Sequence, residues 1–194
     1  MQVLAIFIKY LIIIIWLFPP FQQYRTKYFL FFLTLLITEF SNILLQIIFK
    51  FPSALIYLIG SYLILLCLLD RVLIKRLWYL LFLLLIIILY SFFTYKNQSL
   101  DISFLILLHL IIFLRLSFLF ISEIGQRNNI KIFLIVFLLY ESTIILKFMY
   151  VILGFTFAYS YFLITSIFEI IFGLFFSLFK EDNPRIVIRL KQEY

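Results

Sequence analysis

The chain has 194 residues, of which 66% are hydrophobic and 13% charged, with a formal net charge of +7 and a mean hydropathy of +1.22. An ordinary soluble domain is about 45–50% apolar and about 25% charged, so this composition excludes one: its surface could not be made polar enough for water. A single cysteine, Cys67, excludes an intrachain disulfide and any paired-cysteine motif.

A helix needs about 20 apolar residues to cross roughly 30 Å of hydrocarbon. On that ruler the chain divides into residues 3–18, 28–49, 53–69, 77–95, 101–122, 131–153 and 155–179, followed by a short basic tail at 180–194. The expected fold is an all-α polytopic membrane helix bundle of about seven transmembrane helices. Pro19 and Pro20 stop the first segment and Pro52 opens the third. A cleaved signal peptide is disfavoured, because Lys9 interrupts the apolar run and no basic amino-terminal region or Ala-x-Ala site accompanies it. From Ile132 to Phe179 the chain runs 48 residues almost unbroken, which as one helix would be about 72 Å long. A turn is therefore expected near Gly154, a residue type suited to ending a helix.

Seven crossings distribute the basic residues unevenly. One side receives Arg25, Lys27, Arg71, Lys75, Arg76, Arg127, Lys131, Lys180, Arg185, Arg189 and Lys191, and the other only Lys50 and Lys96. Basic loops stay cytoplasmic, so the amino terminus is expected outside and the carboxyl tail in the cytoplasm. The same placement explains the positive charge without a nucleic-acid partner.

Charges within membrane spans are costly and turn to the bundle interior. A candidate intramembrane polar cluster comprises Lys9, Glu39, Asn42, Gln46, His109, Arg115, Glu141, Lys147 and Glu169. The depths permit Arg115 to pair with Glu169 or Glu141, and Lys9 or Lys147 with Glu39. Glu39, Asn42 and Gln46 share a helix face, as do Tyr161, Thr165, Glu169, Gly173 and Ser177 in the last span. These stripes read either as close-packing seams or as the lining of a polar pathway. His109 has no second His or Cys at a ligand spacing, so no metal is expected, and no cofactor motif is present.

In the tail, Ile186, Ile188 and Leu190 alternate with Val187, Arg189 and Lys191, a strand-like period of two. Arg185, Ile186, Ile188, Arg189 and Leu190 are therefore candidates for docking on the sheet edge of a partner. The alternative is a basic tail lying against anionic lipid.

The last span lacks the mid-helix lysine of a retinal protein, and no proline falls inside any span, unlike the kinked helices of G-protein-coupled receptors. Arg25-Thr26-Lys27 before the second span, Ile37-Thr38-Glu39-Phe40 within it, Glu141-Ser142-Thr143 in the sixth and Lys180-Glu181-Asp182-Asn183-Pro184 after the last carry a resemblance. In this layout the chain resembles small seven-helix inner-membrane proteins of Bacteroidota, a group that implies a fold and a location but no settled activity. Leu114-Arg115-Leu116 is faintly similar to the arginine helix of ATP synthase subunit a, without the Asn and Gly expected after it. The expected role is a non-catalytic sensory, regulatory or anchoring subunit, held in the lipid bilayer beside a membrane-protein partner. The alternatives are an ion- or proton-coupled transporter or channel and an organelle-encoded respiratory or ATP synthase subunit of a mitochondrial inner membrane.

Overall fold

The computed structural model describes residues 2–50, 53–94, 98–153 and 158–189. Pro52, Lys96, Gly154, Leu190 and Lys191 lie outside the described residues, as does the side chain of Lys9. Seven described helices have 15 residues or more: α1 (Gln2–Trp16), α3 (Phe29–Phe49), α4 (Ser53–Leu68), α5 (Arg71–Thr94), α6 (Gln98–Arg127), α7 (Ile132–Leu153) and α8 (Ala158–Leu178). A five-residue helix, α2 (Phe18–Gln22), follows α1. Among the described residues the protein is thus helical apart from short turns and one small sheet.

Several boundaries differ from the sequence reading, and helix α5 begins at Arg71 rather than Leu77. The first helix ends at Trp16 rather than Phe18, and Pro19 and Pro20 open α2 instead of merely stopping α1. Proline suits that position because the first turn of a helix leaves its N–H groups unbonded in any case. Helix α6 has 30 residues, against the 22 expected; at 1.5 Å per residue it is about 45 Å long. Asp101 lies in its first turn, where a carboxylate complements the helix dipole. The left-handed Asn128 (φ 50°) follows its end, a conformation asparagine tolerates better than most side chains.

Helices α3, α5, α6 and α7 are long and apolar enough to cross a membrane. Three shorter apolar stretches accompany them, Tyr10–Gln22, Ser53–Leu68 and Leu163–Leu178. The outer surface carries large apolar side chains such as Phe21, Ile47, Val72, Tyr79 and Leu178, a covering suited to lipid rather than water.

The packing order makes a ring. Helix α4 packs on α3 and α6, α6 on α7, α7 on α8, α8 on α1 and α2, and α2 back on α3. Helix α5 sits outside, against α4. Two glycines allow close approach. A Cβ on Gly60 of α4 would strike the side chain of Thr38 on α3, and one on Gly173 of α8 would lie 2.7 Å from Ile15 on α1. Elsewhere interlocked aromatics do the packing: Phe31 meets Phe137 edge-on at 4.5 Å, and Phe32 and Phe133 each lie against Phe176 and Phe137. Such pairs add about 0.5–1.5 kcal/mol each beyond the area they bury.

Just past this aromatic layer, at the end holding Lys27 and Lys131, the chain ties itself together. The buried Gln23 donates to the carbonyls of Phe176 and Phe179 (3.1 and 2.8 Å), and its oxygen accepts from the N–H of Glu181. That closes the carboxyl end of α8, whose last carbonyls have no partner within the helix. Lys131 bridges Glu123 and Glu181 at 3.3 and 3.2 Å, and Lys27 reaches Glu181 at 3.4 Å. Strand β1 (Asn129–Lys131) pairs antiparallel with β2 (Val187–Arg189), setting Ile130 opposite Ile188. The strand-like tail therefore pairs with its own chain along one edge, and β2 remains an edge strand of this two-stranded sheet. Ile186 is buried beside it, Ile188 and Arg189 are exposed, and Arg185 stands exposed in the single 3₁₀ turn Pro184–Ile186.

Candidate functional site

Inside the ring lies a cavity of about 270 Å³. Six helices line it: Trp16 from α1, Glu39 from α3, Tyr57 and Ser61 from α4, His109 from α6, Tyr140 and Lys147 from α7, Ser166 and Glu169 from α8. Isoleucines 12, 13, 64 and 144, with Phe148, complete an otherwise apolar wall. The aromatic layer, one step further along the same helices, closes it toward the Lys27 end.

Three polar arrangements meet there. Lys147 donates to Glu169 at 2.6 Å across the α7–α8 contact, and the Trp16 indole N–H donates to the backbone carbonyl of Glu169 at 3.2 Å. The Tyr57 hydroxyl donates to Glu39 at 3.2 Å and accepts from the Asn42 amide at 3.0 Å. The third is a chain. Ser61 Oγ lies 3.0 Å from His109 Nε2, and His109 Nδ1 lies 2.8 Å from Glu141 Oε2. All three residues are buried, at 3%, 4% and 1% exposure respectively. A carboxylate only accepts, so His109 Nδ1 carries the proton toward Glu141; in the neutral ring Nε2 is then left to accept from Ser61. One further group lacks a partner: Ser166 Oγ lines the cavity, is fully buried and makes no hydrogen bond.

The sequence-derived cluster divides accordingly. Glu39, His109, Lys147 and Glu169 line the cavity, with Glu141 directly behind His109 and Asn42 behind Tyr57. Gln46 lies on the exposed surface, so the polar face of α3 reaches the site only through Glu39 and Asn42. Arg115 does not pair with Glu169 or Glu141. It donates to Asp70 at 2.7 Å and to the Leu68 carbonyl at 3.1 Å, where a cation neutralises the carboxyl end of α4. Lys147 pairs with Glu169 rather than with Glu39. The stripe on α8 faces inward: Thr165 is buried, Glu169 meets Lys147, Gly173 meets α1, and Ser177 donates to its own helix at Gly173.

Ser61, Tyr57 and Ser166 were not singled out by sequence. A lone hydroxyl in an apolar helix normally bonds to its own backbone, as Ser142 and Thr143 do here at 2.8 and 2.9 Å. Only helix rotation distinguishes those from the cavity serines. Among the described residues no group of three His, Cys, Asp or Glu side chains is placed to hold a metal ion.

The fold and site together define a helical bundle enclosing a small, partly polar chamber. No protein-family model, curated protein or solved structure matches the chain.

Proposed function

We propose that this chain is a seven-crossing membrane protein that binds a small molecule in its central cavity and acts as the sensory or regulatory subunit of a membrane complex. The carrying observation is the cavity itself, lined by six helices and furnished with a few converging polar groups. Binding sites for small molecules have that character: apolar walls with a small number of placed polar groups. At about 270 Å³ it falls just below the range for drug-sized ligands, so the occupant is metabolite-sized.

Seven crossings with the amino terminus outside are supported by the packing. The antiparallel course of the ring gathers Lys27, Lys131 and the tail at one end, and the Arg71–Arg76 segment begins beside Arg115 and Asp70 toward that same end. That basic end is the cytoplasmic one by the charge rule. Helix α4, with 16 residues, spans only about 24 Å. It is wrapped by neighbours, so its ends need not reach the headgroups. The bacterial inner membrane follows from the resemblance of layout.

Native mass spectrometry of the full chain, released from its own membrane in mild detergent, tests the proposal. The expected spectrum holds a membrane-protein partner and an added small-molecule mass, the latter lost when Ile144→Trp fills the cavity. A bare monomer in both samples would overturn it.

A second reading, proton-coupled transport, is favoured by the two carboxylates and the His109–Glu141 pair at one chamber. It predicts a proton flux in reconstituted vesicles that Glu169→Gln or Glu39→Gln abolishes.

A further inference from the structure

The chain Ser61–His109–Glu141 has a use that ligand binding does not require. Its connectivity is directional: a hydroxyl on Nε2 and a carboxylate on Nδ1, at 3.0 and 2.8 Å. That is the arrangement by which a base takes a proton from a nucleophile while a third group holds the base in the right tautomer. The residues come from α4, α6 and α7, 48 and 32 positions apart, so no local backbone geometry imposes the alignment. A His–Glu pair serving packing alone would be sealed within the helix contact. Here Ser61 and His109 both line the cavity, and Glu141 stands behind them as the most buried of the three.

A second observation points to a reacting partner. Ser166 Oγ is a fully buried hydroxyl on the same cavity with no hydrogen bond. An unmatched buried hydroxyl is destabilising, a loss that an oxygen on a bound molecule would relieve. Ser61 lies within a helix whose backbone N–H groups are occupied, so an oxyanion formed beside it must be held by side chains, and Ser166 is an uncommitted donor on the same cavity.

We infer that Ser61, His109 and Glu141 form a nucleophile–base–orienting relay that gives this cavity acyl-transfer activity on small carboxylic esters with an apolar acyl group. Ser61 Oγ attacks the ester carbonyl carbon as its proton passes to His109 Nε2. The C–O bond to the leaving alcohol breaks, and His109 returns the proton to that alcohol. Water then attacks the acyl-serine, giving its proton to His109; the acid leaves, and Ser61 regains its hydrogen. No redox change occurs, and the only co-reactant is water. The acyl chain is held by the apolar wall around Ile12, Ile144 and Phe148. Glu141 is a positioning residue that acts through His109. The inference rests on the cavity admitting a small molecule but not on any partner.

The test uses the full chain in detergent micelles with an alkyl fluorophosphonate, which transfers its phosphorus to an activated serine with loss of fluoride, and with p-nitrophenyl butyrate as ester. Peptide mapping is expected to find the adduct on Ser61. Ester turnover is expected to fall by about 100-fold or more in Ser61→Ala and His109→Gln, the scale of acid–base catalysis. Glu141→Gln is expected to lower kcat with KM unchanged, and Glu141→Asp to recover part of it. Should the His109 and Glu141 variants fail to fold, Ser61→Cys in a Cys67→Ser chain decides: iodoacetamide is expected to alkylate Cys at 61 several-fold faster than Cys67 of the parent. No adduct on Ser61 together with unaltered turnover in Ser61→Ala would overturn the inference, as would a slow thiol at 61. An adduct on Ser61 from a chain that purifies alone would uphold the relay and sink the regulatory-subunit reading, so the two failures separate.

Discussion

Lys147 and Glu169 illustrate how a half-buried charge depends on its partner. Their 2.6 Å contact joins α7 to α8 on the cavity wall. Away from bulk water the attraction roughly offsets the desolvation of both ions, while removing one leaves the other uncompensated. Lys147→Met is therefore expected to lower the detergent unfolding midpoint markedly, whereas the double variant Lys147→Met/Glu169→Leu is expected to recover most of the loss. Differential scanning fluorimetry on the purified chain checks this, and equal damage from both variants would show that the pair is not the source of the effect. Glu39, Glu141, Lys147 and Glu169 are legible in the sequence because an ionised group among apolar residues cannot face lipid. Their partners are not. Pairing depends on the rotation and axial offset of each helix, so Arg115, free by depth to reach Glu169, instead turns to Asp70 and the end of α4.

At the scale of elements, the helices follow from unbroken apolar runs, and their ends follow from local chemistry that the sequence carries only in part. Pro19 and Pro20 mark a break, yet whether they close α1 or open α2 depends on the chain continuing into the Gln23 tie. The tail's alternation correctly suggests a strand but not its mate, because β1 is only Asn129–Lys131 and has no pattern of its own. That pairing is held by Lys131, which carries both Glu123 and Glu181. Lys131→Glu would set three carboxylates together, and like charges at close range repel. The variant is expected to release the tail and make Arg185 and Arg189 several-fold more sensitive to trypsin in inside-out vesicles. Lys131→Arg is expected to keep both protected. Equal cleavage in the parent and the Glu variant would mean that the clasp does not restrain the tail.

For the whole molecule, the deciding quantity is the number of crossings. Four helices are long and apolar enough to span on their own, and an even count would put both ends of the chain on one side. The seven-crossing proposal takes the odd number, and the course of the ring is its support. Helices α3 and α7 start, and α6 and α8 finish, at the end where Lys27, Glu123, Lys131 and Glu181 meet. Helix α1 runs to the same end, since Gln22 and Gln23 bond to the last carbonyls of α8. Helix α4 ends and α5 begins beside Asp70, which Arg115 holds from one turn before Leu119 in the second half of α6. On the proposed reading, elements packed side by side in this way share one slab of hydrocarbon, and the short helices cross with their neighbours because leaving the slab would expose their apolar flanks. In a Cys67→Ala chain, Lys50→Cys is therefore expected to react with a membrane-impermeant maleimide in intact cells, and Arg185→Cys only after the membrane is opened. Labelling of both from outside, or of neither, would break the antiparallel course on which the depth of every cavity residue depends.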